Sequence, residues 1–118
     1  MITKSNYFSV KEVSCRCGCG ATIKLEMLDK LNDIRKMYGK PISLTCGARC
    51  PTHNAKIGGA KNSAHISGEA VDMVRTEELL QFIKANLEVL NIWIEDPAAT
   101  PVWIHAQIRP AKNRIFKP

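Results

Sequence analysis

The spacing of apolar residues predicts two helices. Through residues 25–38 apolar side chains recur with the period of an amphipathic helix. Gly39 is expected to cap its C-terminus, and Pro41 stops it from continuing. A second helix is predicted from a cap at Thr76 to about residue 90. Near the start of the chain, Ser9 and Glu12 have the spacing of a capping box, which predicts a short helical turn.

Alternating or β-rich segments between these helices predict strands at residues 42–45, 70–74, 91–95 and 102–108. Residues 51–62 should form a loop with one helical turn, and residues 96–101 a hairpin-like connection. The tail from residue 112 is expected to be an edge segment or to fray. This order of elements predicts an α+β fold, a small and mainly antiparallel sheet with helices packed on one face.

Length and composition predict one domain over residues 1–118. We expect the protein to be a monomer, although the sequence itself is silent on the oligomeric state. The net charge of +6 favours polyanions such as nucleic acid, anionic lipid or phosphate-bearing wall polymers, although it could serve solubility alone. Residues 1–6 lack an apolar segment, and no run is long enough to cross a bilayer. We therefore expect synthesis in the cytoplasm without a signal peptide and no insertion into a membrane.

Five cysteines are present, and three of them alternate with other residues at positions 15, 17 and 19. One interpretation is a structural metal site that also uses Cys46 or Cys50. The other is a tight glycine-rich turn with free thiols, which we favour because C-x-C-x-C is a poor spacing for structural zinc. The odd number in a chain without a secretory signal argues against a full disulfide framework.

The strongest chemical signal is formed by His65, Asp72 and His105. The first two lie in residues 63–72, SAHISGEAVD, and the third in residues 102–105, VWIH. Two imidazoles and a carboxylate can bind zinc and leave a fourth position open for water. The small residues between His65 and Asp72 allow the chain to fold both side chains towards one ion.

These segments resemble the M15 family of zinc peptidases, the group of D-alanyl-D-alanine carboxypeptidases and L-alanyl-D-glutamate endopeptidases that cut cell-wall peptides. The family pattern runs S-G-x-R-C-P, N, G-G, S-x-H-x-x-G-x-A-x-D and W-x-H. Here it reads CGARCP at residues 46–51, Asn54, GG at 58–59, SAHISGEAVD at 63–72 and WIH at 103–105. The resemblance implies a fold like that of these peptidases and of hedgehog proteins, with zinc at the sheet, bound by His65, Asp72 and His105.

The resemblance also implies a role for Arg49, and the positions of Ser63 and Gln107 suggest roles for these two side chains. Arg49 is expected to bind a substrate carboxylate and to stabilise the oxyanion, since a guanidinium can form two parallel hydrogen bonds to a carboxylate. Ser63 is expected to orient the substrate or to support His65. Gln107 is expected to contact the substrate or to support a ligand from behind.

The catalytic base departs from the family pattern, which places an acid three residues before the last histidine. Val102 occupies that position. A hairpin centred on residues 98–99 would bring Glu95 near Trp103 and diagonal to His105, so Glu95 is the predicted base. Asp96 is the second choice, because an Asp-Pro pair is a common way to begin a turn. Glu69 is expected to face solvent.

Together these residues predict a zinc metallopeptidase that hydrolyses the peptide stem of peptidoglycan, either as a D-Ala-D-Ala carboxypeptidase or as an L-Ala-D-Glu endopeptidase. The absence of a signal peptide and the basic charge favour a phage endolysin or a virion-associated protein that reaches the cell wall after release. Two alternatives are non-enzymatic: a cell-wall binder that has lost activity, which Val102 keeps open, and a basic nucleic-acid-binding zinc module. The dispersed Lys and Arg residues argue against a nucleic-acid partner.

Overall fold

Helices account for much of the chain that the computed structural model describes, residues 7–117. Residues 1–6, on which the prediction about secretion depends, lie outside the described residues. The helices, in chain order, are α1 Val10–Val13, α2 Leu25–Tyr38, α3 Pro51–Lys56, α4 Glu77–Ala85 and α5 Leu87–Leu90. Along the described residues, none of them is both long and apolar enough to span a bilayer.

The predicted ends of α1 and α2 are confirmed. The Ser9 hydroxyl accepts a hydrogen bond from the Glu12 amide at 3.1 Å, and the Glu12 carboxylate accepts one from the Ser9 amide at 2.9 Å. Helix α2 ends at Gly39, whose φ of 75° is the left-handed conformation that glycine adopts at little cost. The apolar face of α2 is buried in the core.

The second long helix begins where predicted, but it is interrupted. The Thr76 hydroxyl accepts a hydrogen bond from the Leu79 amide at 3.1 Å and caps α4. At Asn86 the backbone leaves the helical conformation, and the side chain of this residue donates to the Phe82 carbonyl at 2.7 Å. An asparagine that bonds to the backbone in this way competes with the helix. The prediction of one continuous helix to residue 90 was therefore wrong.

The strands pair in the order β1-β2-β4-β3-β5. Their bounds are β1 Leu44–Cys46, β2 Ala70–Val74, β3 Trp93–Glu95, β4 Trp103–Gln107 and β5 Ile115–Phe116. The pairs β1–β2, β2–β4 and β3–β4 are antiparallel, whereas β5 lies parallel to β3. The prediction of a mainly antiparallel sheet needs correction: the sheet is mixed, because the C-terminal tail returns along β3 as an edge strand.

The central strands separate a core face from a site face. Because side chains alternate along a strand, Val71, Met73, Ile104 and Ala106 project to one side, where they join the buried cluster formed with the helices. The intervening residues of the same strands project to the other side, and Asp72, His105 and Gln107 are among them. Strand β1 begins two residues later than predicted, and Ile42 packs into the core instead.

Candidate metal centre and active site

The candidate centre is built on two paired strands and the loop before them. Asp72 of β2 lies opposite His105 of β4 in the antiparallel register. Its Oδ1 atom is 3.1 Å from His105 Nδ1 and 3.1 Å from His65 Nε2, which comes from the loop that precedes β2. All three residues are buried, with relative exposures of 7% for Asp72, 5% for His105 and 2% for His65. The structure thus brings the three predicted ligands together; their ligand role stays a prediction.

His65 is held by the segment that follows β1. Its Nδ1 lies 2.7 Å from the Gly47 carbonyl oxygen, so Nδ1 carries the proton and donates it there. A Cβ atom on residue 47 would lie 2.5 Å from the Val13 carbonyl oxygen, a clash that glycine alone avoids. Gly47 therefore lets the chain pass close to α1 and present its carbonyl to the imidazole.

His105 is oriented in the same manner from the opposite side. Its Nε2 donates to the Gln107 side-chain oxygen at 2.7 Å, and the Gln107 amide donates in turn to the Arg109 carbonyl at 2.8 Å. The ring also meets Phe116 of β5 edge-on, with centroids 6.2 Å apart. Gln107 thus lies behind His105; its predicted contact with substrate stays a prediction.

The two imidazoles therefore direct His65 Nε2 and His105 Nδ1 at one carboxylate oxygen. If both rings were neutral, two lone pairs would face the carboxylate, so the centre holds either an added proton on an imidazole or a bound cation. Burial lowers the pKa of His65, but the hydrogen bonds to Asp72 and Cys46 outweigh it and raise that pKa to about 9. Burial raises the pKa of Asp72, but bonds to both histidines bring it to about 2. Imidazole nitrogens and a carboxylate are ligands that fit a divalent metal ion.

Cys46 is a further donor at the centre, and it was missed as a member of this site. Ligand atoms of Cys46, His65 and Asp72 lie within 4.8 Å of one another. The thiol is 3.7 Å from His65 Nδ1, the nitrogen already bonded to Gly47, and Cys46 pairs with Asp72 in the β1–β2 register. Burial raises the pKa of Cys46, but His65 and Arg49 lower it overall. The sequence signal that could have identified Cys46 was its position as the first residue of CGARCP.

Two overlapping donor sets can be drawn, and both contain His65 and Asp72; ligand atoms that all lie within 4.8 Å of one another are found in the set with Cys46. The third donor is Cys46 in one set and His105 in the other. His105 Nδ1 faces Asp72 at 3.1 Å, whereas Cys46 lies beside the nitrogen of His65 that donates to Gly47.

Arg49 borders this centre. Its Nη2 is 3.6 Å from Asp72 Oδ2, its Nε donates to the Cys46 thiol at 3.2 Å, and its Nη1 donates to Asn54 at 3.1 Å. Asn54, on α3, was not among the predicted site residues, although its position belongs to the family pattern. Its own amide donates to the Ala60 carbonyl at 2.8 Å. The guanidinium is thus fixed in orientation beside the candidate ligands.

Of the two acidic residues predicted as the base, Glu95 is the one that lies beside His105. Continuing the β3–β4 register places it across from His105, two residues beyond the predicted neighbour Trp103, and its Oε1 is 3.9 Å from His105 Nδ1. Asp96 instead accepts a hydrogen bond from the Ala98 amide at 3.0 Å, as in a turn. Val102 is 70% exposed.

Ser63 and Glu69 support the loop that carries His65. The Ser63 hydroxyl accepts a hydrogen bond from the His65 amide at 3.2 Å, which matches the supporting role left open from the sequence. The prediction that Glu69 faces solvent was wrong. Its carboxylate accepts hydrogen bonds from the Ser67 hydroxyl and from Arg109, because Arg109 folds back over the loop.

Comparison with known proteins adds one finding to this geometry. A family model described as Peptidase M15 matches residues 6–92. The matched segment includes Arg49, His65 and Asp72, and it ends before Glu95 and His105. A search of curated proteins found no match.

Proposed function

The chain belongs to the Peptidase M15 family, and on that premise we propose that it is a zinc-dependent peptidase that hydrolyses the peptide stem of bacterial peptidoglycan. One observation carries the proposal: two buried imidazoles each direct one nitrogen at a single oxygen of Asp72. The other nitrogen of each ring is already committed, to Gly47 and to Gln107. Such a site is organised to bind a cation before substrate arrives.

In this proposal His65, Asp72 and His105 are the zinc ligands. Three protein ligands with one open position are typical of catalytic zinc sites. Bound there, zinc would polarise the scissile carbonyl and lower the pKa of a water molecule. The hydrogen bonds that the rings donate to Gly47 and Gln107 fix which nitrogen of each ring would face the metal.

Glu95 is the proposed general base. Its carboxylate lies beside His105 on the site face of the sheet, and its side chain is 22% exposed, so it can reach both a water molecule and a substrate. Oε1 would accept the proton of the attacking water and pass it to the leaving amine. The family's usual position for the acid is Val102; in this chain the neighbouring strand would supply the carboxylate.

Arg49 is the proposed electrophilic group. Its side chain is mostly buried and is held by Asn54 and Cys46. A preorganised guanidinium stabilises negative charge that develops in the transition state without having to reorient. The same group would hold the carboxylate of a stem peptide, with Ser63 at the edge of the site.

The family and the charge of the chain support the proposed substrate class. Peptidoglycan carries carboxylates and lies among anionic wall polymers, and the chain has a net charge of +6. The scissile bond is D-Ala-D-Ala or L-Ala-D-Glu; a closed pocket beyond the terminal carboxylate would favour the first and an open groove the second. We propose that the protein acts at the cell wall after release from the cell that makes it, as an endolysin or a virion component.

Hydrolysis of purified cell wall tests this function. We expect clearing in a zymogram that a chelator abolishes and added zinc restores, with mass spectrometry of the muropeptides identifying the bond. Asp72→Asn, which keeps the shape of the side chain, serves as the inactive control. Clearing that persists in the chelator would refute the metal-dependent mechanism. A folded, zinc-loaded protein that binds wall without releasing products would favour the non-enzymatic binder.

A further inference from the structure

Four cysteines gather at the N-terminal side of the domain, outside the centre described above. Cys15, Cys17 and Cys19 come from the loop after α1, and Cys50 comes from the N-terminus of α3. Their sulfur atoms all lie within 4.8 Å of one another. Cys17 Sγ is 3.3 Å from Cys15 Sγ and 3.6 Å from Cys50 Sγ.

We propose that these four thiolates bind a second metal ion, a structural zinc, which ties the N-terminal loop to the segment that carries Arg49. With zinc–sulfur bonds of about 2.3 Å, a tetrahedron places its sulfur atoms about 3.8 Å apart. The observed separations of 3.3 and 3.6 Å are close to that value. Four sulfur ligands without a carboxylate select zinc over the harder magnesium and calcium ions.

The backbone around the cluster is suited to thiolate ligands. The Cys50 amide donates to Cys15 Sγ at 3.3 Å, and the His53 amide donates to Cys50 Sγ at 3.3 Å. Hydrogen bonds of this kind favour the charged form of the sulfur. Gly18 and Gly20 both have positive φ, 81° and 90°, which lets the short loop turn its cysteines inward. Spacing alone left the fourth ligand open between Cys46 and Cys50, because it arrives from a distant segment.

Binding of zinc by the four thiols needs no oxidant. Each thiol loses its proton to solvent as its sulfur donates an electron pair to the metal, and no group changes oxidation state. This separates the proposal from its main rival, two disulfide bonds, which would remove two electrons for each bond formed. The proposal also differs from a cluster of unbound thiols. Cys17 and Cys19 are exposed, so free thiols at these positions would react at once with a thiol reagent, whereas metal-bound thiolates would be protected.

The expected role of this second metal ion is to fix the position of Arg49. Arg49 immediately precedes Cys50, and its guanidinium is held by Asn54 of the short helix that Cys50 caps. The Ala48 amide donates to the Val13 carbonyl at 3.1 Å, so the same segment already touches α1. Metal binding would add a crosslink between these two segments and restrict the position of Arg49 relative to the catalytic centre.

The test isolates this site by removing the other one. We expect His65→Ala/His105→Ala, purified in the presence of zinc, to retain about one zinc per chain. X-ray absorption should then show four sulfur neighbours at about 2.3 Å. Cys17→Ser combined with Cys19→Ser in the same background should remove this zinc, whereas Cys46→Ser, outside the cluster, should not. A metal-free protein, or a shell of nitrogen and oxygen, would overturn the proposal.

Thiol titration of the wild-type chain gives an independent measurement that needs no variant to fold. The four cluster thiols should be protected until a chelator is added and should then react together. Immediate reaction of Cys17 and Cys19, or protection relieved only by a reductant, would contradict the metal site. The inference does not depend on the proposed peptidase activity: a chain inert towards cell wall that still holds one sulfur-ligated zinc would refute the function and leave this site intact.

Discussion

Glu95 and His105 face each other across β3 and β4, with Glu95 Oε1 3.9 Å from His105 Nδ1. This contact brings a carboxylate next to the candidate ligands even though Val102 stands at the family's usual acid position. Val102 itself lies in the turn that leads into β4, and it is exposed. The pairing of the two strands therefore compensates, in our proposal, for a residue missing from the motif.

Replacing the proposed base is the sharpest test of that pairing. Glu95→Gln should lower kcat about 100- to 10,000-fold, the range over which general acid–base groups contribute, while zinc content is unchanged. Asp96→Asn is the matched control and should alter kcat little, because Asp96 bonds to the Ala98 amide. Rates are measured by release of muropeptides together with metal analysis. An undiminished kcat in Glu95→Gln would eliminate it as the base.

A second pair of variants decides between the two donor sets. His105→Ala should lose the catalytic zinc, because the proposal makes its Nδ1 a ligand, whereas Cys46→Ser should retain it. Cys46→Ser also restores the serine of the family pattern. Zinc content is compared in a background that lacks Cys17 and Cys19, so that the proposed thiolate site does not contribute. Loss of zinc in Cys46→Ser with retention in His105→Ala would reverse the assignment.

Arg49 provides a test of substrate binding. Arg49→Lys keeps the charge but loses the paired hydrogen bonds and the contact with Asn54, so kcat/KM should fall about 10- to 100-fold. Arg49→Ala should lower it further. Both are measured on a soluble stem peptide, with Arg35→Lys on α2 as a control for a general change of arginine. Equal kcat/KM in wild type and Arg49→Ala would exclude a role in binding or in the transition state.

Local elements could be predicted from the sequence, because their signals are local. The capping box of Ser9 and Glu12 and the glycine end of α2 at Gly39 follow from short patterns, and the structure confirms them. The break at Asn86 was missed since it depends on one side chain that bonds back to the Phe82 carbonyl. The parallel pairing of β5 with β3 was missed because two residues of strand carry almost no sequence signal.

At the candidate site, too, residues in local motifs could be predicted, whereas contacts between distant segments could not. His65, Asp72 and His105 were found through their motifs, and the structure brings them together. Cys46 was missed as a neighbour of His65, because that contact depends on the bulged register between β1 and β2. Cys46 and Cys50 were both named as possible partners of the loop cysteines, and choosing Cys50 requires the position of α3 relative to α1.

Gln107 offers a test of how His105 is positioned. Gln107→Leu removes the acceptor for His105 Nε2, so zinc affinity should fall about 10- to 100-fold, the usual effect of losing a partner behind a ligand. Gln107→Glu retains an acceptor and should bind zinc at least as well as Gln107→Leu. Competition with a chelator of known affinity measures the difference. Identical affinity in wild type and Gln107→Leu would show that this hydrogen bond does not tune the ligand.

Glu69 gives a prediction about stability and pH that does not involve the metal. Its pKa is lowered, first by the hydrogen bond from the Ser67 hydroxyl and then, against the effect of burial, by the charges of Lys24 and Arg109. Because the folded-state pKa lies below the ordinary value of 4.5, the stabilisation is complete above that pH and is lost as the pH falls through the lowered pKa. At neutral pH, Glu69→Gln should therefore decrease the free energy of unfolding by about 1–2 kcal/mol.

The measurement is urea unfolding of wild type and variant over a series of pH values. The difference between them should be constant at neutral pH and should shrink as the pH falls below 4.5, where wild-type Glu69 also becomes neutral. Exposed Glu88→Gln removes the same charge from a helix surface and serves as the control. A difference that stays the same down to the acid limit would mean that Glu69 stabilises the loop by packing rather than by its charge.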